Sequence, residues 1–153
     1  MNLEKRIREL DLQIPSPPAA GGVYKPVLII DNLLYVSGQG PTQNDETLIT
    51  GKLGDDISIE EGYNAARQVG LTMLATMKNE IGDLAKIKRI VKTFGMVNST
   101  QGFHDQPQVI NGFSELYVEL LGDDYGKGAR SAVGMLLPGN IAVEVEAVFE
   151  IHT

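Results

Sequence analysis

Three ionisable side chains near the end of the chain have the type and spacing to do chemistry: Arg130, Glu144 and Glu146. Strand alternation over 141–151 puts Ile141, Val143, Val145, Ala147, Phe149 and Ile151 on one face. Ala142, Glu144, Glu146, Val148, Glu150 and His152 take the other. The apolar set belongs under a helical layer, and the carboxylate-bearing face meets water, a partner or a ligand. Glu144 and Glu146 share that face, so like-charge repulsion is expected to raise at least one pKa. The same alternation in 130–137 predicts Ser131, Val133, Met135 and Leu137 under the helices. Arg130, Ala132, Gly134 and Leu136 then lie on the open face. A guanidinium beside two small residues leaves space against it, and its planar fork matches a carboxylate with two parallel hydrogen bonds. An ion pair between Arg130 and a strand carboxylate fits the same pattern, and periodicity does not separate the two.

Other chemistries are excluded or unsupported. There is no cysteine, so no thiol nucleophile, disulfide framework or thiolate metal site exists. His104 precedes Asp105 in a loop and His152 is penultimate. Neither belongs to a spaced ligand set, so no metal is expected. Met73 and Met77 read as core fillers, and Gly38-Gln39-Gly40 is no dinucleotide motif because no helix follows it directly. Thirteen Lys+Arg against twenty Asp+Glu give a formal charge of −7, which repels phosphate backbones. The one basic run, Lys86, Lys88, Arg89 and Lys92, reads as a solvated strand edge, so no nucleic-acid partner is expected. No stretch approaches the ~20 apolar residues of a membrane helix, and the N-terminus lacks a signal-peptide core. A cytoplasmic location and no membrane partner are the expectation.

The elements that must hold these residues follow from the pattern. At 153 residues the chain suits one domain, 1–153, with residues 1–22 as an N-terminal extension. Residues 2–10 read as a short amphipathic helix, broken by the Pro- and Gly-rich stretch 14–22. Runs 27–30 and 33–36 joined by Asp31-Asn32 predict a β-hairpin. Ser58 and Glu61 form a capping box opening a helix whose apolar face carries Ile59, Tyr63, Ala66, Val69, Met73, Met77 and Ile81, with Gly82 as its stop. Residues 87–97 read as a strand. A second helix begins near Pro107, buries Ile110, Phe113, Tyr117 and Leu120, and ends at Gly122. Strands 130–137 and 141–151 close the chain. The order ββαβαββ predicts an α+β fold, one sheet with two helices on one face.

At this point a family resemblance enters. Gly-Ala-Arg-Ser-Ala-Val (128–133), Leu137-Pro138 and Val143-Glu144-Val145-Glu146-Ala147 resemble the C-terminal signature of the reactive intermediate deaminase (Rid, YjgF-like) family. Leu34-Tyr35-Val36-Ser37-Gly38-Gln39 resembles its N-terminal strand signature, and Tyr24 has the spacing of the family's active-site tyrosine. The resemblance covers roughly 23–151. It implies a chorismate-mutase-like fold, a homotrimer with ligand clefts between subunits, and no metal or organic cofactor. It implies hydrolysis of 2-imino and enamine acids to 2-keto acids and ammonia, with a small carboxylate-bearing metabolite as ligand. Under it, Arg130 binds the carboxylate, Glu144 activates water and Tyr24 lines and polarises the pocket. Ser37, Gly38, Asn111 and Ala132 complete the substrate-binding set. Ala132 stands where many members carry cysteine, and the long N-terminus and the inserted stretch 98–106 resemble a divergent branch. The alternatives are a trimer that binds a small carboxylate without turnover and, against the acidic charge, an endoribonuclease or translation inhibitor.

Overall fold

In the computed structural model, which describes residues 2–153, the elements run α1 (Leu3–Glu9), β1 (Val27–Ile30), β2 (Leu33–Gln39), α2 (Ile59–Ile81), β3 (Ile87–Asn98), α3 (Gln106–Gly126), β4 (Ala129–Met135) and β5 (Val143–Ile151). They form one five-stranded sheet in the order β1-β2-β5-β3-β4. All neighbours are antiparallel except β3 and β4, which are parallel because α3 carries the chain back between them. The α+β, chorismate-mutase-like expectation therefore holds.

The capping box forms as expected: the Ser58 hydroxyl accepts from the Glu61 amide and the Glu61 carboxylate from the Ser58 amide. α2 and α3 lie side by side on one sheet face. A methyl group on Gly112 would run into the Tyr63 carbonyl, so glycine sets how closely the two helices approach. Val143, Val145, Ala147 and Phe149 are buried beneath them, with the Tyr117 and Phe149 rings 5.4 Å apart. The fully buried Tyr117 donates its hydroxyl to the Gly70 carbonyl at 3.1 Å, which settles its one polar atom. α3 does not end at Gly122: that residue turns to φ 85°, and one more turn runs on to Gly126.

The N-terminal segment is less of an appendage than expected. α1 is a third helix on the helical side: Leu3 and Ile7 are buried, and Arg6 donates to the Glu119 carbonyl on α3 at 2.8 Å. Asn98, expected to open an inserted loop, instead closes β3 as a buried knot. Its amide donates to the Gly51 carbonyl (2.7 Å) and to Asn140 (3.0 Å), and its oxygen accepts from the Leu137 amide (3.1 Å).

The face assigned to β4 needs correction. Parallel pairing sets Arg130 beside Thr93, Ala132 beside Gly95 and Gly134 beside Val97. A methyl group on Gly95 would strike Ile110 of α3, so this row faces the helices. Arg130, Ala132 and Gly134 thus lie on the helical side, and Ser131, Val133 and Met135 share the open face with Phe94 and Met96. The expectation placed the bulkier apolar residues inward. They point outward because α3 comes too close to Gly95 to tolerate them, and because Phe94 and Met96 offer apolar neighbours on the open face. Ile141 also leaves the main core, joining Met96 and Leu137 in a second cluster.

Candidate functional site

Glu144 is positioned by β5, whose alternation sends it to the open face opposite Val143 and Val145. The neighbouring β2 carries one extra residue there. Val36 pairs with Ala147 and Gln39 with Val145, so Ser37 and Gly38 form a β-bulge. Gln39 locks the bulge: its amide donates to the Ser37 carbonyl (3.0 Å) and accepts from the Thr76 hydroxyl of α2 (2.8 Å). Ser37 donates its hydroxyl to the Lys25 carbonyl at 2.6 Å. Gly38 faces Glu144 so closely that an added methyl group would overlap Oε2 and stand 3.0 Å from Cδ. The glycine is what lets the carboxylate lie against the strand.

The result is a cleft of about 420 Å³ holding Tyr24, Gly38, Gln39, Thr76 and Glu144. Its outer side is the segment Pro18–Gly21. Tyr24 pins that segment, its hydroxyl accepting from the Gly21 amide at 2.9 Å. The phenolic proton is thereby left for the cleft. Among the described residues the Glu144 carboxylate has no hydrogen-bond or salt-bridge partner. Burial, first, and the neighbouring Glu146, second, raise its pKa above the ordinary 4.5. The direction is the expected one. The larger cause is desolvation rather than the paired charge.

Arg130 sits elsewhere, on the opposite side of the sheet at the edge strand. Its Nη1 donates to Asn111 Oδ1 (2.8 Å) and Ser114 Oγ (3.2 Å) on α3. No carboxylate pairs with it among the described residues, so the ion-pair alternative is not what the fold adopts. Since Nη1 has two protons and both are engaged, the Nε–Nη2 edge is left for a planar acceptor. A hollow of about 340 Å³ adjoins it, with Thr93, Glu115 and Lys127 in its lining. Asn111 is thus a holder of the guanidinium in this chain, and Ala132 is half-buried against the main core.

One chain therefore unites Tyr24, Gly38 and Glu144 in one place, and Arg130 with Asn111 in another, with the sheet between. Ser37 borders a third depression, on the open face beside Leu28, Tyr35 and Phe94. Sequence reasoning missed Ser114, although it lies three residues after Asn111 and so shares its helix face. It missed Gln39 and Thr76 as well, and their pairing across about forty positions left no local signal. Lys88 pairs with Glu150 at 3.1 Å, and Arg89 donates to the Asp124 carbonyl and stacks on Tyr125. Lys88 and Arg89 are thus engaged within the fold rather than simply solvated. Among the described residues no metal-type cluster occurs, and no helix is long and apolar enough to cross a membrane.

This sheet, its bulge and the Arg130 and Glu144 strands define an α+β protein of the chorismate-mutase-like type. The chain belongs to the family described as "YjgF/chorismate mutase-like, putative endoribonuclease", whose model matches residues 4–145. It is 36% identical over 147 residues to Protein TCP17 of Trypanosoma cruzi, covering 95% of this chain and 92% of that protein. A structure of a protein of unknown function from Agrobacterium tumefaciens is 40% identical with a TM-score of 0.86, over 98% of this chain and 94% of that one. A "putative endoribonuclease" from Shewanella oneidensis is 32% identical with a TM-score of 0.92, over 99% and 100% of the two chains.

Proposed function

We propose that three copies assemble through the open sheet faces and hydrolyse reactive 2-imino or enamine acids to 2-keto acids and ammonia in the clefts between them. The observation that carries this reading is the separation of Arg130 from Glu144 within one chain. An anchored carboxylate and an activated water then require groups from two copies. The open face supports assembly: Leu28 (45% exposed), Tyr35 (40%) and Val133 (38%) lie on it with no helix above. A sheet face that exposes large apolar side chains beside Lys92, Glu144 and Glu146 fits burial between subunits.

In the proposed reaction the Nε–Nη2 edge of Arg130 holds the carboxylate of a 2-iminium acid. Glu144 of a neighbouring copy takes a proton from water as the oxygen bonds to the imine carbon and the C=N π electrons move to nitrogen. The proton then passes to the amino nitrogen of the tetrahedral adduct. The C–N bond breaks as the remaining O–H loses its proton to Glu144. Ammonia leaves and takes up that proton as ammonium, which restores the carboxylate. A carboxyl with a raised pKa suits the base role, because its affinity for the proton approaches what neutral pH demands. Anchoring and placement supply most of the acceleration, since an iminium carbon is already electrophilic.

The test is keto-acid release from imines generated in situ by an amino-acid oxidase, with Arg130→Ala and Glu144→Gln beside the wild type. Both variants should fall to background. Co-expressed in equal amounts they should regain roughly one quarter of wild-type activity, because one interface in four then pairs an intact Arg130 with an intact Glu144. Background release by the wild type across many amino acids would end the enzyme reading and leave a carboxylate-binding protein.

A further inference from the structure

Three charged side chains line the hollow beside the Arg130 guanidinium: Arg130 itself, Glu115 and Lys127. Two of them are engaged elsewhere. Lys127 Nζ pairs with Asp123 at 2.6 Å. The Glu115 carboxylate accepts the hydroxyl of Tyr63, which reaches it from α2. One turn further along the same two helices, Arg67 and Glu119 pair through two bonds of 3.2 Å, so α2 and α3 are joined by two successive ties. The bond to Glu115, first, and burial, second, raise the Tyr63 pKa above the ordinary 10.0, so the phenol stays a donor at neutral pH. Glu115 is exposed, and it follows Asn111 by one helical turn and Ser114 by one residue. It therefore rises from the part of α3 that holds the guanidinium. Arg130 is left as the one charge in the lining with no opposite charge or acidic tie of its own among the described residues.

We infer that Tyr63 is a positioning residue for the Arg130 anion site: its hydroxyl holds the Glu115 carboxylate toward α2 and so keeps the Nε–Nη2 edge of Arg130 open for the carboxylate of a ligand. The inference rests on the reading that Arg130 binds a 2-imino or 2-oxo acid by that edge. Tyr63, Glu115 and Arg130 belong to one chain, so the competition does not depend on which surface of a neighbouring copy closes the cleft. A glutamate released beside an unpaired guanidinium takes the same two parallel hydrogen bonds that a ligand carboxylate would take. The tie to Tyr63 is thus the reason that a carboxylate lining the same hollow leaves Arg130 alone. An exposed ion pair of this kind favours the closed form by about two- to five-fold. Apparent ligand affinity falls by the fraction left open, which makes the loss about three- to six-fold.

The test compares the full-length wild type with Tyr63→Phe, Glu115→Gln and the double variant, by two readouts. The first needs no ligand: the Nε–H resonance of Arg130 in nitrogen-15 spectra, assigned by its loss in Arg130→Lys. It should shift in Tyr63→Phe and return to the wild-type position in the double variant. The second is calorimetric titration with pyruvate at neutral pH. Tyr63→Phe should bind pyruvate about three- to six-fold more weakly than the wild type. Glu115→Gln should change the affinity by less than about two-fold, and the double variant should match Glu115→Gln, so that the two changes are coupled rather than additive. Tyr63 is partly exposed and phenylalanine keeps its ring, so Tyr63→Phe should fold, with far-ultraviolet dichroism like the wild type. An unshifted Arg130 resonance, an undiminished affinity in Tyr63→Phe, or a loss that Glu115→Gln does not rescue would overturn the inference. A resonance that shifts and returns as expected, in a protein whose wild type does not bind pyruvate, would instead leave the restraint on Glu115 standing and sink the reading of Arg130 as a carboxylate site.

Discussion

Replacing Gly38 with alanine separates catalytic placement from stability more sharply than any other change in this chain. The new methyl group would overlap Glu144 Oε2 and press on Cδ at 3.0 Å and Cγ at 3.4 Å. An ordinary contact is about 3.5–4.0 Å between carbons, so the carboxylate must withdraw by roughly 1 Å. Such a displacement at the reacting centre costs about 10²-fold in rate, or about 2.7 kcal/mol of barrier. Stability should hardly suffer, because what must move is the free end of a flexible side chain. Gly38 does not have a left-handed φ, so alanine should gain about 0.4–1 kcal/mol by narrowing the unfolded ensemble. Steady-state kinetics on imines generated in situ should show kcat falling about a hundred-fold with KM little changed, while urea denaturation shows no loss. Shortening Glu144 to aspartate should cost less in the Gly38→Ala background than in the wild type, since the shorter chain relieves the overlap. Activity within about three-fold of wild type would refute the placement of Glu144 as the base.

Other expectations follow from the same geometry. Burial and Glu146 raise the Glu144 pKa in the folded state, so folding takes up a proton there, and the stability this group contributes at low pH is lost as pH rises through the folded pKa. Glu144→Gln should therefore melt higher than wild type near about pH 7, with the gap closing near about pH 4; an unchanged melting temperature at neutral pH would show the carboxylate is well solvated. For the same reason the acid limb of the wild-type rate profile should fall at a pH above the ordinary carboxylate value of 4.5. Ser114→Ala should raise KM roughly ten-fold, about 1.4 kcal/mol, at nearly constant kcat, because Arg130 keeps its charge but loses one of its two holders. Ser114→Thr should restore it, and a kcat effect alone would sink that role. Asn98→Ala should cost about 2–4 kcal/mol in urea denaturation, since it strands the Leu137 amide and the Gly51 carbonyl in a buried junction.

The sequence by itself determined the elements and their class. Periodicity in 59–81 and 141–151, the Ser58–Glu61 box and the Asp31-Asn32 turn depend on neighbours a few residues apart, and local physics reads such patterns reliably. It also placed Glu144 on the open face, because alternating carboxylates and β-branched residues leave β5 only one register. In β4 the alternation pointed the wrong way, because the bulkier apolar set, with Val133 and Met135, turned to the open face and the set with Arg130, Ala132 and Gly134 turned to the helices. Only the close approach of Ile110 to Gly95 decided which set turned inward. That decision moved Arg130 to the helical side and onto Asn111 and Ser114. Tertiary structure alone also fixed the bulge at Ser37-Gly38, the space at Gly38 that Glu144 fills, and the course of the arm over the cleft. Each is a meeting of residues dozens to more than a hundred positions apart, where contact depends on how the layers pack rather than on any repeat along the chain.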